Sequence, residues 1–428
     1  MRLFLSIILL TTLSQALPFT LVKHEGATGN GPTLFVIGGI HGNEPGSYFA
    51  ASILAQYYTI TNGNLWVIPN LNHKSIMMNS RGINGDMNRK FADIDLDDKD
   101  YLIVNELKKI ITHPQVDLIL NLHDGHGYYR KEYKDHIFNP GAWGQTCVID
   151  QISLDSDHIY KNMNQIASII SQELNGGLIE NYHCFDVRNT NTRDDDEAMR
   201  HSLTFFAVNH NKPAFAIETS KNLPTLQEKV FYQLRAIEGY MKYMGITYER
   251  PFELTANKLE EIINNNGNVT INNNINLNLE NLRTDLSFVP LKSERNDFNF
   301  THPLGGVLQD GGKFNLYIGN QKVSTLSRSI HAEVKCEDDL SLEIDGKEEK
   351  LFFAKEYLVT ADVSIINKSL TRTNIIGFTR ESRKDESNIH VTLKDFDPKY
   401  AIDKDAKTYR VELYRENDFC GMVLIHFK

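Results

Sequence analysis

The sequence predicts an α/β unit followed by two small all-β modules, and three observations carry that expectation. Between residue 33 and about residue 245, short apolar runs alternate with longer amphipathic stretches, the pattern of strands separated by helices. Beyond Pro251 the apolar residues recur at every second position instead, as in half-buried strands. The residues capable of metal binding and acid–base chemistry cluster where the apolar strands of the first unit end, the edge at which open α/β sheets place their ligand crevice.

At the start of the chain, residues 1–16 combine one basic residue, Arg2, a short apolar run and the small residues Ser14 and Ala16. That is the pattern of a signal peptide cleaved after Ala16, and the run is too short to span a bilayer. No later segment reads as a membrane span, so the expectation is an exported chain working in an oxidising space. Strands are expected over 33–38, Asn64–Ile68, 116–121 and 214–217. Helices are expected after Pro45, over Tyr101–Ile111, over 160–174 with Ile166, Ile169, Ile170 and Leu174 on one face, and over Leu226–Met244.

The Asn-rich passage 264–281 alternates Ile275, Leu277 and Leu279 with polar residues, which fits a strand; a low-complexity disordered linker is the alternative. Phe314, Leu316 and Ile318 repeat the two-residue period, as do Ile330, Ala332, Val334 and Cys336. Leu340, Leu342 and Ile344 run into an Asp345-Gly346 hairpin turn. Tyr409, Val411 and Leu413, followed by 422–427, read as a closing hairpin. The expected organisation is a signal peptide over 1–16, a catalytic unit over 17–250, a β module over 251–338 and a β-sandwich module over 339–428.

With 428 residues, 41% of them hydrophobic, the chain can bury several cores. A formal charge of −10 and the lack of any clustered Lys and Arg argue against nucleic acid as a partner. The four cysteines suggest one pair per unit, Cys147 with Cys184 and Cys336 with Cys420, with four free thiols as the alternative. No Cys-x-x-Cys pair offers a thiolate metal site.

Chemistry is densest at Gly38-Gly39-Ile40-His41-Gly42-Asn43-Glu44-Pro45-Gly46, between an expected strand and an expected helix. A His and a carboxylate three apart on a turn can face one metal. Three further strand ends lead to Pro69-Asn70-Leu71-Asn72, to Asn121-Leu122-His123-Asp124 and to Glu218. Two His and one Glu with a fourth position open for water make a catalytic zinc set, and Glu218 is the fitting general base. Arg81 and the Asn88-Arg89 pair supply guanidinium groups suited to a carboxylate-bearing substrate.

Taken in order, His41-Gly-Asn-Glu44, Pro69-Asn-Leu-Asn72, Gly85-Asp-Met-Asn88-Arg89, His123 and Ala216-Ile-Glu218 resemble the motif set of the M14 zinc carboxypeptidases across about 190 residues. With the signal peptide and trailing β modules, the layout is most similar to the periplasmic peptidoglycan DL-carboxypeptidases that determine cell shape in helical bacteria. The resemblance implies a carboxypeptidase-like mixed sheet flanked by helices, one zinc ion on His41, Glu44 and His123, and Glu218 as base. It implies that Arg81 polarises the scissile carbonyl and that Asn88 and Arg89 grip the terminal carboxylate. The implied substrate is a peptidoglycan tripeptide stem, trimmed to a dipeptide in the periplasm. One family element is missing, since no tyrosine lies between Tyr182 and Glu218 to cap the substrate.

Trp143, after a Pro-Gly turn, is a candidate substrate wall or a turn-packing residue, and Thr204 a candidate pocket hydroxyl. His126, His183 and His201 read as satisfied or exposed histidines, and the run Asp194-Asp195-Asp196-Glu197 as a solvated loop. Two rival functions are an aspartoacylase- or desuccinylase-like amidohydrolase of N-acyl amino acids, which shares the His-Gly-Asn-Glu pattern, and a non-catalytic cell-wall binding protein.

Overall fold

The computed structural model describes residues 17–27, 29–336, 340–367, 371–380 and 383–428. The expected signal peptide and the expected module boundary near residue 338 lie outside them. At the centre of the first unit is a seven-stranded mixed sheet. Its order is Val22–Glu25, Asn64–Ile68, Thr33–Ile37, Leu118–Gly125, Ala214–Ser220, Thr146–Ile149, Asp186–Asn189. The strands Asn64–Ile68, Thr33–Ile37, Leu118–Gly125 and Ala214–Ser220 run parallel, while Val22–Glu25 and Thr146–Ile149 pair antiparallel to their inner neighbours. Every residue of the four parallel strands is buried, as helices covering both faces demand.

The strands extend further than the apolar runs predict. Leu118–Gly125 begins two residues later than expected and continues four residues past Asn121, and Ala214–Ser220 continues past Ile217. The ladder between them pairs Ala214 with Ile119 through to Ser220 with Gly125, so backbone pairing outlasts the hydrophobic pattern. The polar residues at those ends belong to the sheet rather than marking a loop.

Helix Leu226–Met244 occupies its expected span. Thr225 caps its start by accepting the Glu228 N–H, and Gly245 closes it at φ 76°. Helix Met163–Asn175 starts three residues later than expected and buries Met163, Ile166, Ala167, Ile170 and Leu174. Ile169 is 40% exposed, because 100° per residue carries it off the face that Ile166 and Ile170 share.

The Asn-rich passage is ordered. Asn268–Ile271 and Ile275–Asn278 form an antiparallel hairpin whose turn holds Asn272 and Asn273 at φ 52° and 60°, a conformation asparagine tolerates well. A preceding helix, Ala256–Asn264, packs Leu259 and Ile263 inward. The first hairpin and Phe298–Phe300 form a three-stranded sheet accompanied by a four-stranded one, Asp285–Leu291, Gln321–Ile330, Lys313–Ile318, Gly305–Asp310. Their apolar residues are continuous with the core of the α/β unit. Pro303 and Leu304 accept hydrogen bonds from Asn70 and His73 at its surface.

The C-terminal residues repeat the arrangement with three and four strands around a separate core. Asp345 and Gly346 make the expected hairpin turn at φ 51° and 77°. Thr408–Arg415 and Asp418–Phe427 make the expected closing hairpin. The expected strand through Ile330, Ala332, Val334 and Cys336 does not form: Gln321–Ile330 ends at Ile330, and the following residues run beside Asp418–Phe427 as a connector. Val334 donates to the Phe419 carbonyl, and Cys336 is bonded to Cys420 across a Cα separation of 5.4 Å. The other expected pair is absent. Cys147 is free and wholly buried, its thiol against Ser171 and Tyr240, and its strand neighbour is Val187, three residues beyond the free Cys184.

Candidate active site

His41 and Glu44 lie on the turn between strand Thr33–Ile37 and helix Pro45–Tyr57, and His123 lies in strand Leu118–Gly125. The turn passes so close to its neighbour that a Cβ at Gly42 would stand 2.1 Å from the Ser75 backbone, which only glycine avoids. Glu44 bridges the two imidazoles, with Oε1 3.1 Å from His41 Nδ1 and Oε2 2.9 Å from His123 Nδ1. All three residues are buried, and their ligand atoms fall within 4.8 Å of one another. Bonds of about 2.0–2.1 Å in a tetrahedral shell set ligand atoms about 3.3 Å apart, so this donor set fits a single metal ion with little adjustment.

The outer nitrogen of His41 is held by Asp86, a residue that the sequence does not mark as functional. His41 Nε2 is 2.8 Å from Asp86 Oδ1, and Asp86 Oδ2 accepts from Arg81 Nε at 2.9 Å. Such a carboxylate fixes the tautomer and the ring orientation of a metal ligand. Its signal in the sequence is its place in Gly85-Asp86-Met87-Asn88-Arg89, beside the amide and the guanidinium expected to bind substrate.

Without metal, burial opposes charge on His41, but the Glu44 and Asp86 carboxylates outweigh it and raise His41 to about 9. His123 is lowered by its complete burial despite Glu44. Burial pushes the Glu44 carboxyl up, and the two imidazoles overcome this and hold it well below the usual carboxylate range. The charged His41 ring thus turns Nδ1 to Glu44 and Nε2 to Asp86, and a metal ion on Nδ1 would displace the proton there.

Glu218 faces the same space from strand Ala214–Ser220. Burial, and then the charge of Glu44, raise its carboxyl well above the usual range. Its room is made at Gly125, where a Cβ would lie 2.8 Å from Glu218 Oε2 and 2.5 Å from the Trp143 Cβ. Behind the site, Asp124 accepts from Thr219 Oγ1 at 2.6 Å and from the Gly46 N–H, at the start of helix Pro45–Tyr57, at 2.8 Å. Burial raises Asp124 to about 6.

Every site residue expected from sequence borders one cleft of about 210 Å3: His41, Glu44, Arg81, Asn88, Arg89, His123, Trp143, Thr204 and Glu218. Arg81 is partly committed already, since Nη1 also donates to Glu44 Oε1 at 3.3 Å. Asn88 Oδ1 accepts the Leu203 N–H, and Arg89 Nη1 donates to the Asn88 carbonyl. Trp143 carries the Arg188 guanidinium on its face, 3.8 Å from the ring centroid. Asn121, Lys221 and Met199 also line the wall. Met199 lies nineteen residues before Glu218, in the stretch where the family resemblance implies a capping tyrosine. His126 is exposed at the rim, while His183 is buried against Gln145 and Tyr232 away from the cleft.

A mixed sheet with a buried His–Glu–His cluster at the carboxyl edge of its parallel strands, beside a buried carboxylate and two arginines, fits a single-metal hydrolase of peptide or amide bonds. The chain belongs to the M99 peptidases, carboxypeptidases controlling helical cell shape, whose catalytic profile matches residues 10–264. Residues 334–428 match the C-terminal domain of a metallo-carboxypeptidase. No curated protein matches the chain. Among solved structures it is similar to the tripeptide-bound cell-shape determinant Csd4 of Helicobacter pylori, with 32% identity over 96% of this chain and 100% of that one and a TM-score of 0.91. The mDAP-bound form of the same protein, described as a D,L-carboxypeptidase, is likewise 32% identical over 95% and 100%, with a TM-score of 0.90. Among the described residues no helix is long and apolar enough to cross a membrane.

Proposed function

We propose that this carboxypeptidase uses one zinc ion, held by His41, Glu44 and His123, to remove the C-terminal diaminopimelate from peptidoglycan tripeptide stems in the periplasm, leaving dipeptides. The observation that carries the reading is the buried His41–Glu44–His123 cluster opening onto a cleft shared with Glu218, Arg81 and Arg89. Zinc in such a site acidifies a bound water and polarises a carbonyl. Glu218 takes the water proton and returns it to the leaving amine, and its burial beside Glu44 raises its affinity for that proton. Arg89, with the Asn88 amide, grips the terminal carboxylate of the substrate. Arg81 steadies the scissile carbonyl oxygen while Asp86, which it also holds, keeps the His41 ring in register.

The mDAP and tripeptide bound by the Helicobacter pylori relative support the substrate assignment. On this reading residues 17–250 carry the chemistry, and the modules over 251–338 and 339–428 serve another purpose. The test is to incubate the purified chain with a muropeptide mixture, with and without a chelator, and to identify products by mass spectrometry. Release of diaminopimelate from tripeptides, abolished by the chelator, is the expected result. Release of acyl groups from N-acyl amino acids instead would overturn it.

A further inference from the structure

The turn that carries His41 and Glu44 leans on a short helix, His73–Met77. The residues entering this helix are tied to the turn: the Leu71 N–H donates to the Gly38 carbonyl at 3.2 Å and the Asn72 N–H to the Gly39 carbonyl at 2.9 Å. Ser75, wholly buried inside the helix, is the residue whose backbone leaves no room for a Cβ at Gly42. Ser75 also holds the segment that bears Arg81 and Asp86. Its carbonyl accepts the Ser80 N–H at 2.9 Å, and its Oγ accepts the Ile83 N–H at 3.1 Å. One small helix thus supports two residues of the candidate metal cluster and the carboxylate that orients His41.

His73 and Met77, four residues apart, share the helix face opposite Ser75. That face rests on the β module that follows the α/β unit, at the corner where strand Gly305–Asp310 pairs with Lys313–Ile318. Gly306 passes so close that a Cβ there would stand 2.5 Å from Met77 Sδ and 2.9 Å from the His73 ring. Gly319, whose N–H donates to the Leu304 carbonyl at 3.0 Å, belongs to the same corner. A Cβ on it would lie 3.1 Å from the rings of Tyr48 and Phe49, in the helix that follows Glu44. Polar contacts flank the corner, with Asn70 Nδ2 donating to the Pro303 carbonyl at 3.0 Å and Asn320 Nδ2 to Asn79 Oδ1 at 3.3 Å. The corner therefore bears on helix Pro45–Tyr57 and on helix His73–Met77, with a glycine at each point of closest approach. Close-packed interiors barely compress, so a push at Gly306 reaches Ser75 and, through it, Gly42.

We propose that this corner of the β module is the backing of the metal site. Gly306 is a positioning residue: through helix His73–Met77 and Ser75 it sets how His41, Glu44 and the supporting Asp86 meet the metal ion. The inference rests on the metal-site reading above. It gives the module beyond residue 250 a purpose, which is to hold in place a site it contributes no ligand to.

The test uses the full chain. Gly306→Val should lower metal affinity by about tenfold or more in titration against a competing chelator, because it displaces ligand support without removing a ligand. The value of kcat on tripeptide should fall by up to about a hundredfold with it, while the far-UV circular dichroism stays that of wild type. Adding His73→Ala and Met77→Ala to Gly306→Val makes room for the new side chain and should restore most of the affinity. Val269→Ala opens a cavity in the other sheet of the same module, so it should lower the unfolding midpoint and leave metal affinity unchanged. Wild-type affinity in folded Gly306→Val, no recovery in the combined variant, or an equal loss in Val269→Ala would overturn the proposal. Should Val prevent folding, Gly306→Ala takes its place, with a smaller loss and the same rescue expected. Metal content and tripeptide hydrolysis of wild type are measured on the same samples. Absence of metal removes the metal-site reading and this inference with it, whereas tight metal binding and turnover that are indifferent to Gly306 remove only this one.

Discussion

Glu218 stands directly beside His123 in the central sheet, paired in register on adjacent parallel strands, while the next pair, Thr219 and Asp124, faces the other way and is joined by a 2.6 Å hydrogen bond. The two-residue period of a strand thus places His123, of the candidate metal cluster, and the Glu218 carboxylate on one face and their buried support on the other. The spacing between His123 and Glu218 is set by the sheet rather than by a loop.

Replacing Glu218 with Gln should therefore separate chemistry from metal binding. The amide keeps the shape but not the base, so kcat should fall by about 10² to 10⁴ with metal content unchanged. Wild-type turnover would remove Glu218 from the mechanism.

Metal affinity should depend on ligands and on their support in different degrees. His41→Ala or His123→Ala should abolish near-stoichiometric metal, because two remaining ligands hold it poorly. Asp86→Asn, which disturbs the His41 ring without removing a ligand, should weaken affinity by about 10–100-fold. Metal analysis after graded chelation gives the order; equal loss in all three would contradict it.

The two arginines should differ kinetically. Arg89→Ala removes a grip on the substrate carboxylate and should lower kcat/KM by about ten to several hundredfold, with Lys a poor rescue. Arg81→Ala should appear mainly in kcat, and because Arg81 also holds Asp86, metal affinity should drop with it. Equal rates on a tripeptide and its C-terminal amide would show that no residue reads the carboxylate.

The disulfide closes a span of 84 residues around the C-terminal module. Cys420→Ser should cost about 2–5 kcal/mol of that module's stability, read as a lower unfolding midpoint. Cys147→Ser should leave the reducing-agent sensitivity of the midpoint as it is in wild type, since Cys147 is already free.

Acid should weaken the fold through His302. Burial lowers this imidazole to about 4 from an ordinary 6.5, and its Nδ1 accepts the Leu304 N–H. Between those values the unfolded chain binds the proton and the folded chain resists it, so the stability it contributes is present above pH 6.5 and is lost as pH falls towards 4. His302→Gln should flatten the fall in Tm across that window; an unchanged slope would place the acid sensitivity elsewhere.

The sequence alone determined what local chemistry can determine. His41 and Glu44, three apart on a glycine-rich turn, and the span of helix Leu226–Met244, carried by its own apolar period, are legible because the residues that define them are neighbours along the chain. The alternation at Ile275 and Leu277 and the Asp345-Gly346 turn are legible for the same reason. Tertiary structure decided whatever depends on residues distant in sequence. Strands Leu118–Gly125 and Ala214–Ser220 outrun their apolar cores because each supplies the other's backbone partners, a pairing between segments about a hundred residues apart. Cys147 stays unpaired because its strand neighbour is Val187 and not Cys184, a matter of register that spacing cannot encode. Asp86 becomes the partner of His41, and Arg410 meets Phe288, only once separate elements pack together, because a hydrogen bond requires atoms within about 3 Å and only the folded chain brings those atoms there.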